Sequence, residues 1–126
     1  MSDKKRILIV DDDHPVCAQL GAIVEYLGYE PVLAVSAEEA LAHVKEKPVD
    51  LALADIHMPG MDGLALLHEL HALHKALPVI MLTGFPSEES IRRTLLEGGY
   101  TYLAKPVDLN QLKNLLQHAL ESKSKK

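Results

Sequence analysis

Four polar groupings interrupt apolar segments of this chain, each directly after a short apolar run. They are Asp11-Asp12-Asp13 after ILIV, Asp55 after LALA, Thr83-Gly84 after VIML, and Lys105-Pro106 after YLA. Two carboxylates about 4 Å apart repel by ~4 kcal/mol at an effective dielectric of 20, so three do not converge without a cation. All-oxygen ligands at a partly open site suit Mg²⁺, which keeps several waters and takes few protein carboxylates. Lys105 suits an anion such as a phosphoryl oxygen, and the Thr83 hydroxyl can donate a hydrogen bond to the same anion. A metal, a carboxylate nucleophile, a cation and a hydroxyl together form a set for phosphoryl transfer.

These groups can act together only if the fold brings them to one edge. Apolar runs at 7–10, 31–35, 49–54, 79–82 and 100–104 read as strands, and amphipathic stretches separate them. From Pro15 to Leu27, Val16, Leu20, Ile23, Val24 and Leu27 recur at the spacing of one helix face. Ser36-Ala-Glu-Glu39 is a capping box opening a helix to about Lys47, with Ala40, Leu41 and Val44 inward. The segment 56–63 holds Pro59, Gly60 and Gly63 and reads as a loop beside Asp55. Helices are expected over 64–77 and 87–97. Asp108 is expected to cap a last helix that buries Leu109, Leu112, Leu116 and Leu120. Five strands alternating with five helices imply a mostly parallel sheet covered on both faces, with right-handed crossovers. In such open α/β sheets ligands sit outside the carboxyl ends of the strands, where all four polar groupings fall.

Composition narrows the function classes. The chain has 126 residues, suited to one domain, and a net charge of −5 that argues against a broad nucleic-acid-binding surface. Aromatics are 4% and Trp is absent, so a base-stacking platform is not expected. The lone Cys17 rules out an intrachain disulfide framework and reads as a small core residue. The longest apolar runs, such as Ile7–Val10 and Leu64–Leu67, are far too short to span a bilayer. The basic start MSDKKR runs through ILIV straight into Asp11, without a signal peptide's longer apolar core. A cytoplasmic setting is the expectation. Asp13 reads as a helix cap. His68, His71 and His74, at i, i+3 and i+6, sweep around a helix and read as a solvated face.

In order and spacing, ILIVDDD, LALADIHMPGMDG, VIMLTG and YLAKP resemble the receiver domain of two-component response regulators, over essentially the whole chain. The resemblance implies a flavodoxin-like doubly wound sheet of strand order 2-1-3-4-5. It implies that Asp55 is the phosphoacceptor and that Asp11, Asp12, Asp55 and the backbone carbonyl of His57 hold Mg²⁺. It implies that Thr83 contacts the phosphoryl group, that Lys105 pairs with a phosphoryl oxygen, and that the bond to Pro106 is cis. Tyr102 would be the aromatic switch, and His57 and Phe85 would tune the phosphoryl lifetime, Phe85 as a shield. The implied donor is a sensor histidine kinase or a histidine phosphotransfer protein.

A downstream partner is expected on the face of the fourth helix, fifth strand and fifth helix, near Arg92, Arg93 and Lys113. That module would be a signalling phosphoacceptor rather than an enzyme on a metabolite. Residues 1–121 would form the receiver and 122–126 a basic flexible tail, read as either a single-domain regulator or a receiver cut from a longer protein, with the tail favouring the former. Two departures stand out. Gly98-Gly99 replaces the usual Gly-Ala, and the last helix lacks the Glu/Arg pattern of receivers that dimerise through their fourth and fifth helices.

Two other readings remain. A haloacid-dehalogenase-like phosphatase would use Asp11 as nucleophile, but it leaves Asp55 idle and lacks a later acidic pair. A flavin carrier would need a Ser/Thr/Gly-rich phosphate loop after the first strand, which is missing.

Overall fold

The strands form one five-stranded parallel sheet in the order β2-β1-β3-β4-β5. They are β1 (Arg6–Val10), β2 (Glu30–Ala34), β3 (Leu51–Asp55), β4 (Val79–Thr83) and β5 (Thr101–Ala104). Between and after them run α1 (His14–Tyr26), α2 (Ala37–Glu46), α3 (Gly63–Leu73), α4 (Glu88–Leu96) and α5 (Leu109–Ser124). This computed structural model describes residues 4–58 and 60–124. Pro59 of the loop beside Asp55, and the last two residues of the expected tail, lie outside the described residues. The helix α5 runs through the first three residues of that tail.

The doubly wound, flavodoxin-like architecture is the one expected from the alternation of elements. β1, β3 and β4 are buried along nearly their whole length, as strands covered on both faces must be. Their alternation sorts side chains onto two cores. Leu8, Val10, Ala52, Ala54, Val79 and Met81 pack with α2 and α3. Ile7, Ile9, Leu51, Leu53, Ile80, Leu82 and Leu103 pack with α1 and α5.

The helix ends follow local chemistry. Asp13 caps α1, its side chain accepting from the Val16 amide, so the cap reading of that aspartate holds. Asp62 caps α3 through the Ala65 amide, and Ser87 and Ser90 cap α4 reciprocally. Asp108 accepts from the Gln111 amide at the start of α5. At α2 the Ser36 hydroxyl takes the Glu39 amide as expected, but the Glu39 carboxylate reaches one residue further back, to the Val35 amide at 2.8 Å.

Some expectations need correction. The third strand begins at Leu51 rather than 49, and it takes in Asp55. The third helix stops at Leu73, not 77; Leu77 is buried but lies in the turn that follows. Leu109, read as a core residue, is 41% exposed: Leu112 and Leu116, on the inward stripe of α5, are fully buried, and Leu109 stands at its first exposed turn. Of His68, His71 and His74, only His68 is exposed, while the other two are half-buried. The His71 Nε2 is 2.8 Å from the Leu77 carbonyl oxygen. A carbonyl only accepts, so Nε2 carries the proton and ties α3 to the turn before β4. Cys17 is buried as expected, and burial pushes its thiol pKa up.

Candidate phosphoryl-transfer site

Strand register decides which polar residues meet. Val10 pairs with Ala54, so the residues that follow, Asp11 and Asp55, stand side by side. Asp55 pairs with Leu82 and Thr83 with Ala104, which places Thr83 and then Lys105 at the same carboxyl edge. Backbone bonds continue the ladder there: Asp11 N–H to Ala34 O at 3.1 Å, Ile56 N–H to Leu82 O at 2.9 Å, and Lys105 N–H to Thr83 O at 2.8 Å.

Asp11, Asp12 and Asp55 each bring one carboxylate oxygen within 4.8 Å of the others. Asp11 is fully buried and Asp55 nearly so, while Asp12 is exposed. The Lys105 ammonium bridges two of the three, 2.7 Å from Asp11 Oδ2 and 3.0 Å from Asp55 Oδ2. Burial pulls the Lys105 pKa down, but hydrogen bonds to Asp11 and Asp55 and their charges push it up, and the balance is upward. The remaining oxygens are held by backbone. Asp13 N–H donates to Asp11 Oδ1 at 2.9 Å, and His57 N–H donates to Asp55 Oδ1 at 3.1 Å.

Three carboxylates against one ammonium leave two negative charges uncompensated, which a single divalent cation would balance. The donors are all hard oxygens at an edge open to water on the Asp12 side, a set that fits Mg²⁺. The burial of Asp11 and Asp55 strengthens whatever electrostatics act there.

The other expected site residues sort by strand parity. Thr83 is fully buried, and its Oγ1 accepts from the Phe85 amide at 3.1 Å, leaving the hydroxyl proton to donate elsewhere. The Phe85 ring is 84% exposed. The amide of Phe85, not its ring, touches the site through Thr83, and an exposed ring covers little. Tyr102 is half-buried against the core under α2 and α3. The Lys105–Pro106 bond is cis.

Beside Lys105 opens a mostly apolar groove of about 350 Å³, lined by Val16, Gln19, Leu20, Ile23, Pro106 and Val107. No local pattern marks it, because its walls are far apart in sequence: Val16, Leu20 and Ile23 read as the inward face of a helix, and Pro106 as part of a strand-end grouping. Gly63 was read only as loop chemistry. Its amide donates to Ile56 O at 2.9 Å, and a Cβ there would stand 2.2 Å from the Asp55 carbonyl oxygen.

Comparison with known proteins agrees with this geometry. A family model described as "Response regulator receiver domain" matches residues 7–117. The transcriptional regulatory protein ZraR of Salmonella typhimurium is 44% identical over 114 residues, 90% of this chain but 26% of ZraR. The chain thus spans about a quarter of the length of that curated relative. A CheY-like response regulator receiver domain protein from Methanospirillum hungatei superposes with a TM-score of 0.92 at 37% identity, covering 98% of both chains. The receiver domain of NtrX from Brucella abortus gives a TM-score of 0.86 at 33% identity, over 91% of this chain and 98% of that one.

Proposed function

The chain belongs to the response regulator receiver domain family, and from that premise we propose that it is the phosphoacceptor module of a two-component phosphorelay, with Asp55 as acceptor. This membership sets aside the phosphatase reading, which left Asp55 without work. The observation that carries the proposal is the meeting of the Asp11, Asp12 and Asp55 carboxylates within 4.8 Å, with Lys105 bridging two of them.

In the transfer an Asp55 carboxylate oxygen attacks the phosphorus of a phosphohistidine. The P–O bond forms as the P–N bond breaks, and the imidazole leaves with the electron pair. Asp11, Asp12, Asp55 and the His57 carbonyl would hold Mg²⁺, which when bound would supply charge neutralisation for the phosphoryl oxygens. Lys105 exchanges its bond to Asp55 for one to a phosphoryl oxygen, keeping its hold on Asp11. Thr83 donates its hydroxyl proton to another oxygen of the same group. Water attack at phosphorus later returns the free carboxylate, with His57 beside Asp55 placed to influence that water. Phe85 is placed to influence it too, through its amide on Thr83, or as a shield once the ring turns inward.

A donor protein, a sensor histidine kinase or histidine phosphotransfer protein, fits the apolar groove beside Lys105. The output leaves through the face of α4, β5 and α5, where Tyr102 moves when Thr83 is drawn to the phosphoryl group. Arg92 and Arg93 are exposed on that side. No helix among the described residues is long and apolar enough to cross a membrane, and the reading places the module in the cytoplasm.

The test is incubation with acetyl phosphate and Mg²⁺. One base-labile, acid-stable phosphoryl group is expected in the wild type and none in Asp55→Asn. Undiminished labelling of Asp55→Asn moves the acceptor elsewhere and refutes the assignment.

A further inference from the structure

Thr83 is not the only side chain on its strand that stands between the acceptor end of β3 and Tyr102. Met81 lies two residues before it on the same face of β4 and is fully buried. Its register partners are Ala54 on β3, the residue before Asp55, and Tyr102 on β5. Ala54 is small, so the long thioether can cross over it. Its terminal methyl reaches Gly63, where it stands 2.7 Å from the position a Cβ would take.

Gly63 in turn is pressed against the backbone of the acceptor. A Cβ there would meet the Asp55 carbonyl oxygen at 2.2 Å and Ile56 Cα at 2.8 Å, and the Gly63 amide is bonded to Ile56 O. A shift of the start of α3 toward the sheet therefore meets the tip of Met81. Tyr102 packs against the same buried cluster that contains Ala54 and Met81, and it is only half-buried. A methionine is unbranched, with three rotatable bonds, and re-packs at small cost. It suits a position that must remain filled in two arrangements of its neighbours.

We propose that Met81 is a positioning residue that links the backbone at Asp55, through Gly63, to Tyr102, in parallel with the hydroxyl route through Thr83. The proposal rests on the reading of Asp55 as phosphoacceptor. When the acceptor end of β3 rearranges around a phosphoryl group, Gly63 shifts, the Met81 tip follows, and the space beside Tyr102 changes with it.

The experiment uses the full chain labelled with ¹³C at the methionine ε-methyl groups, and Mg²⁺ with beryllofluoride as the phosphoryl mimic. A bound ¹⁹F resonance reports loading of the site independently of any conformational response. Met81→Leu, a volume-conserving change, assigns the Met81 methyl by its disappearance and shortens the reach to Gly63. On loading, the Met81 methyl resonance is expected to shift in the wild type and in Thr83→Val at saturating mimic. In Met81→Leu the shift of the Tyr102 amide is expected to fall by at least half with the ¹⁹F signal retained. A bound ¹⁹F signal with an unmoved Met81 methyl overturns the link. So does a full Tyr102 response in Met81→Leu, or loss of the methyl shift in Thr83→Val, which would make Met81 a follower of Thr83. Absence of any bound ¹⁹F signal in the wild type overturns the acceptor reading itself, and the link with it.

Discussion

Replacing Asp12 by Asn should make the protein more stable without metal and less responsive to it. Asp12 is exposed and holds an oxygen within 4.8 Å of oxygens on Asp11 and Asp55. Two unit charges at that distance repel by about 3.5 kcal/mol at an effective dielectric of 20 and about 0.9 at 80. Exposure places Asp12 toward the weaker limit, and Lys105 offsets part of the field of the other two carboxylates. The expected gain for Asp12→Asn in EDTA is about 1–2 kcal/mol, or roughly 4–8 °C in Tm for a domain of this size.

Mg²⁺ is expected to act in the opposite direction. At a hundredfold excess over its Kd it stabilises the wild type by about 2.7 kcal/mol, and each tenfold loss of affinity removes about 1.4. The variant's lead should therefore shrink or reverse as Mg²⁺ is added. Thermal unfolding followed by circular dichroism, with EDTA and across a Mg²⁺ series at constant ionic strength, reads both effects. A variant less stable than the wild type in EDTA, or an equal gain from Mg²⁺ in both proteins, would refute the reasoning that these carboxylates converge for a cation.

Lys105→Met should destabilise the metal-free protein by about 3 kcal/mol, the low end for a broken buried pair because Lys105 keeps some exposure. The raised Lys105 pKa means its stabilisation is whole below about pH 10.5 and is lost as pH climbs through the raised value. Chemical denaturation between pH 9 and 12 should thus fall more steeply in the wild type than in Lys105→Met; parallel curves would contradict the bridge. Leu112→Ala should cost about 2–5 kcal/mol and Leu109→Ala well under about 1, since only the first is buried; equal losses in urea titrations would refute the burial assignment. Gly99→Ala should destabilise, because its Cβ would stand 2.7 Å from Thr94 Cγ2. Thr94→Ala in the same chain should recover part of that loss, and a double-mutant cycle without coupling would show that the contact is not the cause.

The sequence by itself determined most of the architecture and the placing of the candidate site residues at one edge of the sheet. Runs such as ILIV and VIML are apolar on both parities, which only a strand buried on both faces needs, and the helical spacing between them forces parallel crossovers. Because each polar grouping follows its run at once, Asp11, Asp55, Thr83 and Lys105 had to share the carboxyl edge. Caps were legible for the same local reason: Asp13, Ser36 and Asp108 each satisfy the amide three residues on.

What only the tertiary structure decided are relations across strands and between distant segments. Helix ends shifted where packing outweighed pattern, as at Leu73, beyond which Leu77 is buried from a turn instead of a helix. Parity separated the site into two sets, with Asp11, Asp55 and Lys105 on one side of the ladder and Thr83, Met81 and Tyr102 on the other. The Lys105 bridge to both carboxylates spans 94 and 50 residues, and no local pattern records it. Gly63 and Met81 read as a loop glycine and an ordinary core residue. Their contact exists because Ala54, small and next to Asp55, leaves a path across β3, and complementarity of volume between three segments is invisible to any periodicity along one of them.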